Sequence, residues 1–224
     1  MATNYPGSLD SYSTKAASDT IAEGHINDPQ DAIEAIEAKT GTGASTPTDG
    51  KFLTGSGVGT SAWAAILSSD LPSGAVVQVV NSQIGTVVSC STNIPLDDTA
   101  APVITEGDEV TTVAITPTSA SNNLKIDVVT FGSPGTANGH NITALFRDAE
   151  ANALAVGCAG GETERTYKCV KFTHYMSAPS TGTHTFRVRT GSNTGTFYVN
   201  GTLAGAGIFT DLMFSSITIT EIQA

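Results

Sequence analysis

Residues Ser215–Ala224 read SSITITEIQA, and their alternation decides the fold. Ile217, Ile219 and Ile222 are set among Ser216, Thr218, Thr220 and Glu221. Alternation of apolar and polar residues marks a strand with one buried face. A strand this near the last residue frays unless ladder hydrogen bonds tie it down. The stretch therefore predicts a sheet that receives it, inside a finished β domain.

Upstream the same period of two recurs. VVQVV (76–80), EVTTVAITPT (109–118), NLKIDVVTF (123–131) and NITALFRDA (141–149) read as strands, as do ALAVGCA (153–159), RTYKCVKFTHYM (165–176), THTFRVRTG (183–191) and GTFYVNG (195–201). Turn signals fall about every 8–15 residues with no helical period between them, the spacing of an all-β sandwich. The strand count and length fit a jelly roll of two packed sheets over residues 76–224. One stretch breaks the pattern. In GTLAGAGIFTDLMFSS (201–216), Ile208, Phe209, Leu212, Met213 and Phe214 crowd into seven positions. One face of a strand cannot bury so many large side chains. Either the segment is buried throughout or part of it faces another subunit, and subunit contact is the expectation.

Residues 1–75 have a different grammar: an extended, Gly/Ser/Thr/Ala-rich arm with one predicted helix over 28–40. In INDPQDAIEAIEAKTG (26–41), Asp28 is a good N-cap and Pro29 suits the first helical position. Gly41 fits the left-handed stop, with Lys39 near the negative end of the dipole. Ile33 and Ile36, extended by Ile26, make a thin apolar stripe. A helix of this length, roughly 16 Å, is marginal alone in water. The stripe suits copies of itself or a groove on a partner. After it come apolar beads in a linker-like composition, at Phe52, Leu53, Trp63, Ile66 and Leu71. Ile26, Ile33, Ile36, Phe52, Leu53 and Trp63 are the candidate docking residues, and PSG (72–74) marks the domain boundary.

The formal net charge is −11, with −6 on residues 1–75 and −5 on 76–224. Nucleic acid is not an expected partner, since its phosphates need neutralising. No apolar run approaches the ~18 residues of a membrane span, so no membrane insertion is expected. MATNYPGSLD lacks a basic start followed by an apolar stretch, so assembly in a cytoplasm is expected. Three cysteines, Cys90, Cys158 and Cys169, do not make a disulfide framework. Cys158 and Cys169 flank AGGETERTYK, a candidate hairpin connection, and are expected as small buried hydrophobes rather than a bridge.

The chemistry search is negative. Acids cluster in PLDD (95–98) and TEGDEV (105–110). Paired carboxylates cleave glycosides, and Asp97, Asp98, Glu106 and Asp108 could hold calcium. Beside turn residues, however, carboxylates are usually just solvated. His25, His140, His174 and His184 have no metal-ligand spacing, and no serine lies in a G-x-S-x-G elbow. His174 and His184 are expected as hydrogen-bonded sheet residues. The expectation is no enzyme, with no catalytic, cofactor-binding or metal-binding residue.

Several stretches carry a family likeness. IPLDDTAAPVITEGDEVTTVAITPTSASNNLKIDVV, ITALFRDAEANALAV, KFTHYM and SSITITEIQA resemble modules at the C-termini of tailed-bacteriophage fibre proteins. ITPTSASNNLKI and SSITITEI are the most specific. The likeness covers roughly residues 76–224 and implies a trimeric jelly roll similar to that of tumour-necrosis-factor-like proteins. NDPQDAIEAIEAKTG and DGKFLTGSGVGTSAW resemble the particle-proximal arms of phage fibre and head-decoration proteins. The resemblance implies a virion structural protein: a homotrimeric head fibre, capsid decoration or short fibre, partnered by capsid or tail proteins. The alternative is a tail fibre whose tip recognises a host surface glycan or protein. In a homotrimer the 208–214 cluster becomes the candidate trimer interface.

Overall fold

The computed structural model of the chain describes residues 30, 33, 50–57, 60–96, 99–161, 166–202 and 207–224. The chain divides into two compact units, Met1–Asp70 and Leu71–Ala224. In the first, Gln30 and Ile33 are the described residues of the predicted helix, and both are helical. The other helix positions, with Ile26 and Ile36, lie outside the described residues. The Gly-rich stretch after them, read above as linker-like, carries a paired hairpin. β1 (Phe52–Gly57) runs antiparallel to β2 (Thr60–Ala64), with Phe52 opposite Ala64 and Leu53 opposite Trp63. Cross-strand aromatic–aliphatic pairs stabilise a ladder that composition alone conceals. A 3-10 turn, Ser68–Asp70, follows, and the Asp70 carboxylate accepts the Leu67 N–H at 2.8 Å.

The second unit is all β. Its strands are β3 (Val76–Ile84), β4 (Val88–Cys90), β5 (Asp108–Ile115), β6 (Asn123–Pro134), β7 (Asn141–Arg147), β8 (Ala155–Ala159), β9 (Lys168–Ser177), β10 (His184–Gly191), β11 (Phe197–Val199) and β12 (Ser215–Ile222). One sheet has the order β3-β12-β6-β11-β4, with β9 on the other side of β6. The other has the order β5-β10-β7-β8. Every pairing is antiparallel, and the chain passes back and forth between the sheets as a jelly-roll sandwich does. SSITITEI is thus a central strand: Ile219 lies opposite Val80 of β3 on one side and Ile126 of β6 on the other.

β6 is the longest strand, and its neighbour on the β12 side changes along its length. β12 covers Asn123–Val129 and β11 covers Gly132–Pro134. Glycine is required where the neighbours change. A Cβ on Gly132 would run into the Tyr198 carbonyl oxygen and the Phe197 ring.

The main core lies between the sheets. Leu124, Ile126, Val128, Ile217 and Ile219 meet Ile115, Leu145, Phe186 and Val188. Each side chain buried to this extent stabilises the fold by roughly 1.5–3 kcal/mol. β7 is buried on both faces, from Asn141 to Phe146. Ile142, Ala144 and Phe146 pack with Ile94 and Ile104, which the long β4–β5 connection lays across the outer side of the sheet. That connection is tied down by Ile94 N–H to Ser192 O (3.0 Å) and Ile104 N–H to Ala151 O (2.9 Å). On the inner face, Thr130, Asn141, Thr143 and Thr190 satisfy one another, with Thr130 and Thr143 hydroxyls 2.6 Å apart. Buried hydroxyls cost little when paired in this way.

Two cysteine expectations are corrected. β8 and β9 belong to different sheets, so Cys158 and Cys169 do not face each other across a hairpin. Both are free and exposed rather than buried, because each takes an outward position in its strand. Cys90 is buried, and burial first, then the nearby Asp108 charge, pushes its thiol up to about 12.

Candidate interaction surface

The 208–214 cluster is neither strand nor core. Phe209, Thr210 and Asp211 have φ of 54°, 55° and 62°, three consecutive left-handed residues without a glycine among them. This turn, closed by Leu212 N–H to Phe209 O at 3.2 Å, leaves Phe209 73% and Leu212 69% exposed. Phe214 is 40% exposed, and Ile208 and Met213 are half-buried. Of the two alternatives, a segment buried throughout within one chain does not hold.

What holds the turn in place is not visible in the sequence. Gly85 gives it room: a Cβ there would sit 2.7 Å from the Phe214 ring and 2.8 Å from the Asp211 carbonyl oxygen. Asn200, buried and left-handed (φ 56°), donates to Ile84 O at 2.8 Å and accepts from the Ser215 hydroxyl at 2.8 Å. Ser215 Oγ in turn accepts the Phe131 N–H at 3.1 Å. These bonds fix the ends of β3, β11 and β12 together, and the apolar turn leaves from that joint.

The outward face of the β3-β12-β6-β9 sheet is a second broad surface. Register aligns Val79, Thr220, Lys125 and Tyr175 in one row, and Gln83, Ser216, Val129 and Lys171 in another. Between them, Asn81 donates to Thr218 Oγ1 at 2.8 Å, and Lys125 pairs with Asp127 at 3.0 Å. Hydroxyl side chains line the central strand, while Val79 and Tyr175 at the outer strands are 55% and 62% exposed.

In the first unit, Ile33 and Phe52 are exposed, as is Leu53, while Trp63 is half-buried. Leu53 and Trp63 share one face of the hairpin, and Phe52 takes the other with Ala64. Of the three candidate docking residues on the hairpin, the structure thus brings two together and separates Phe52.

Glu106 and Asp108 of the 105–110 cluster are each engaged locally. Asp97 and Asp98 lie outside the described residues. Asp108 accepts the Thr92 N–H and hydroxyl, both at 2.9 Å, and Glu106 accepts the Val103 N–H at 2.9 Å. Each caps local backbone. Among the described residues no group of three His, Cys, Asp or Glu side chains is placed to hold a metal ion. Nor is any helix among them long and apolar enough to cross a membrane. His140 Nδ1 meets Asn193 Oδ1 at 3.0 Å, and His184 is hydrogen-bonded through both ring nitrogens. His174 points inward from β9, where burial lowers its pKa.

No protein-family model matches the chain, and no curated protein matches it. Among solved structures, Eiger TNF from S. frugiperda is similar at a TM-score of 0.40 and 11% identity, over 65% of this chain and 94% of that one. The infectious bursal disease virus VP2 subviral particle gives 0.34 and 10%, over 76% of this chain and 37% of that one. The Gx strain of the same virus gives 0.36 and 9%, over 76% and 36%. The jelly-roll assignment rests on the strand order above.

Proposed function

We propose that the chain is a structural protein of a tailed-phage virion, working as a homotrimer that attaches through its first unit. The role is a head fibre, capsid decoration or short fibre. One observation carries the assembly reading. The chain holds Phe209 and Leu212 out into solvent on three left-handed residues, at a backbone cost of roughly 1–2 kcal/mol each. Burial of these side chains between copies would offset that cost. The resemblance of ITPTSASNNLKI and SSITITEI to fibre modules supplies the viral setting and the copy number. Leu53 and Trp63, side by side on the hairpin, are the docking contacts of the first unit. Three copies would raise weak contacts at exposed loops to useful avidity.

Light scattering on the purified full chain tests the assembly. The expected mass is three times the 22.8 kDa of one chain. Phe209→Ser together with Leu212→Ser should shift it to one chain while the β circular-dichroism signal is kept. A wild-type monomer overturns the reading. Labelled chains on purified particles then separate the roles: label at the capsid gives the decoration. Label at the tail tip gives the alternative, recognition of a host surface glycan or protein.

A further inference from the structure

The turn between β9 and β10 brings together three side chains that no linear motif announces. Asp148 follows β7 in a left-handed conformation (φ 51°) and is held by backbone on two sides. Its N–H donates to Thr185 O at 2.7 Å, and its Oδ1 accepts the Thr185 N–H at 2.8 Å. Oδ2 is left facing His184 Nδ1 at 2.8 Å. The other ring nitrogen, Nε2, lies 2.9 Å from Ser180 Oγ. A carboxylate only accepts, so in the neutral imidazole Nδ1 carries the proton and Nε2 is free to accept the serine hydroxyl proton. The Arg187 side chain donates to the Asp148 carbonyl oxygen at 3.2 Å, and the Gly182 N–H donates to Ser180 Oγ at 3.0 Å.

We propose that Ser180, His184 and Asp148 form an acyl-transfer triad that cleaves short-chain esters carried on larger molecules. The arrangement has the two hydrogen bonds such a device needs: nucleophile to base, and base to a fixed orienting carboxylate. Ser180 Oγ attacks the ester carbonyl carbon as its proton passes to His184 Nε2. The C–O bond to the alcohol breaks, and the alcohol leaves with that proton. Water then gives a proton to Nε2 as its oxygen attacks the acyl carbon; the bond to Ser180 Oγ breaks, Nε2 returns the proton to Oγ, and the carboxylic acid leaves. Asp148 stays ionised and positions the ring. The substrate class follows from the surroundings. Pro179, Thr181, Gly182 and Thr183 are exposed, so the turn has no walls to grip a long acyl chain or an extended peptide. A small acyl group projecting from a larger body can approach it. An ester also asks less of the leaving-group step than an amide. This activity goes beyond the assembly role and does not depend on it.

The same bonds would also pin two turns together, so the test uses readouts that pinning alone would not move. The full-length chain should hydrolyse p-nitrophenyl acetate, and a fluorophosphonate should label Ser180, located by peptide mass spectrometry. Ser180→Ala and His184→Gln should each lower the rate by about 10²-fold or more, the range of general acid–base catalysis, with the label lost. Ser180→Cys keeps a nucleophile beside His184. Iodoacetamide should alkylate the introduced thiol faster than the exposed Cys158 and Cys169. Hydrolysis by Ser180→Ala at the wild-type rate, label at another residue, or an introduced thiol in Ser180→Cys that reacts no faster than the native pair each overturns the proposal.

Discussion

Glu221 has no exposed surface, and among the described residues no ion pair reaches it, yet its pKa is lowered. Burial pushes its pKa up, but donors outweigh that. Gln78 donates to Oε2 at 2.6 Å, while Asn122 (2.7 Å) and the Thr118 N–H (2.9 Å) and hydroxyl (2.8 Å) donate to Oε1. The balance holds the carboxyl below the ordinary 4.5. A pKa lowered by folding gives stability that is fully present above the unfolded value and lost as pH falls through the folded one. Glu221→Gln keeps the shape but turns a donor toward Gln78. It should cost about 2–3 kcal/mol at pH 7, and the gap should be narrower at pH 3, since this stability is lost as pH falls below the unfolded value toward and through the lowered folded one. Urea midpoints at the two pH values measure it; an equal gap at both sinks the account. Part of this is legible in the sequence. Ile217 and Ile219 read as core and are core, but strict alternation puts Glu221 on their face and Ile222 on the other, so the polar residue is buried and the apolar one is not. Ser180 and His184 are four apart across a glycine turn, which is a visible signal. Asp148 reaches them only because β7 pairs with β10, placing Arg147 opposite Phe186.

Strands are legible where one face is buried, and the reason is mechanical: β6, β10 and β12 alternate because core and solvent alternate. Where that condition fails, so does the reading. β1 and β2 hide in a Gly/Ser/Thr composition, and β4 is only three residues long. The route from β8 to β9 misleads because a sheet change and a hairpin leave the same turn residues behind. The 209–211 turn is the least legible element, since its sequence, Phe-Thr-Asp, opens on two residues ill suited to the left-handed region. Thr210 is β-branched, which makes φ 55° a true outlier. Glycine there should relieve roughly 1–2 kcal/mol of strain and return part of it through a freer unfolded chain. The expected net gain is about 0.5–1 kcal/mol. Thermal melting of Thr210→Gly against wild type checks it, and a loss of stability would mean that the Thr210 side chain makes contacts worth more than the strain.

At the scale of the molecule, the three hydrophobic clusters seen among the described residues are drawn from residues 80–219, inside the second unit. Its first strand is pinned to its last: Gly74 N–H donates to Gln223 O at 2.8 Å and Gln223 N–H to Ala75 O at 2.9 Å. Both sheets of this unit are built from its own strands, and the proposed trimer contact at Phe209 and Leu212 belongs to it as well. Residues 71–224 expressed alone should be folded, with a cooperative melt within a few degrees of the full chain. They should also give three times their chain mass by light scattering and no longer bind the particle. The hairpin of the other unit has two strands, too few for stability alone in water, so residues 50–70 as a free peptide should not melt cooperatively. If residues 71–224 came out monomeric while the full chain stayed trimeric, assembly would belong to the first unit, and the exposed turn would need another occupant.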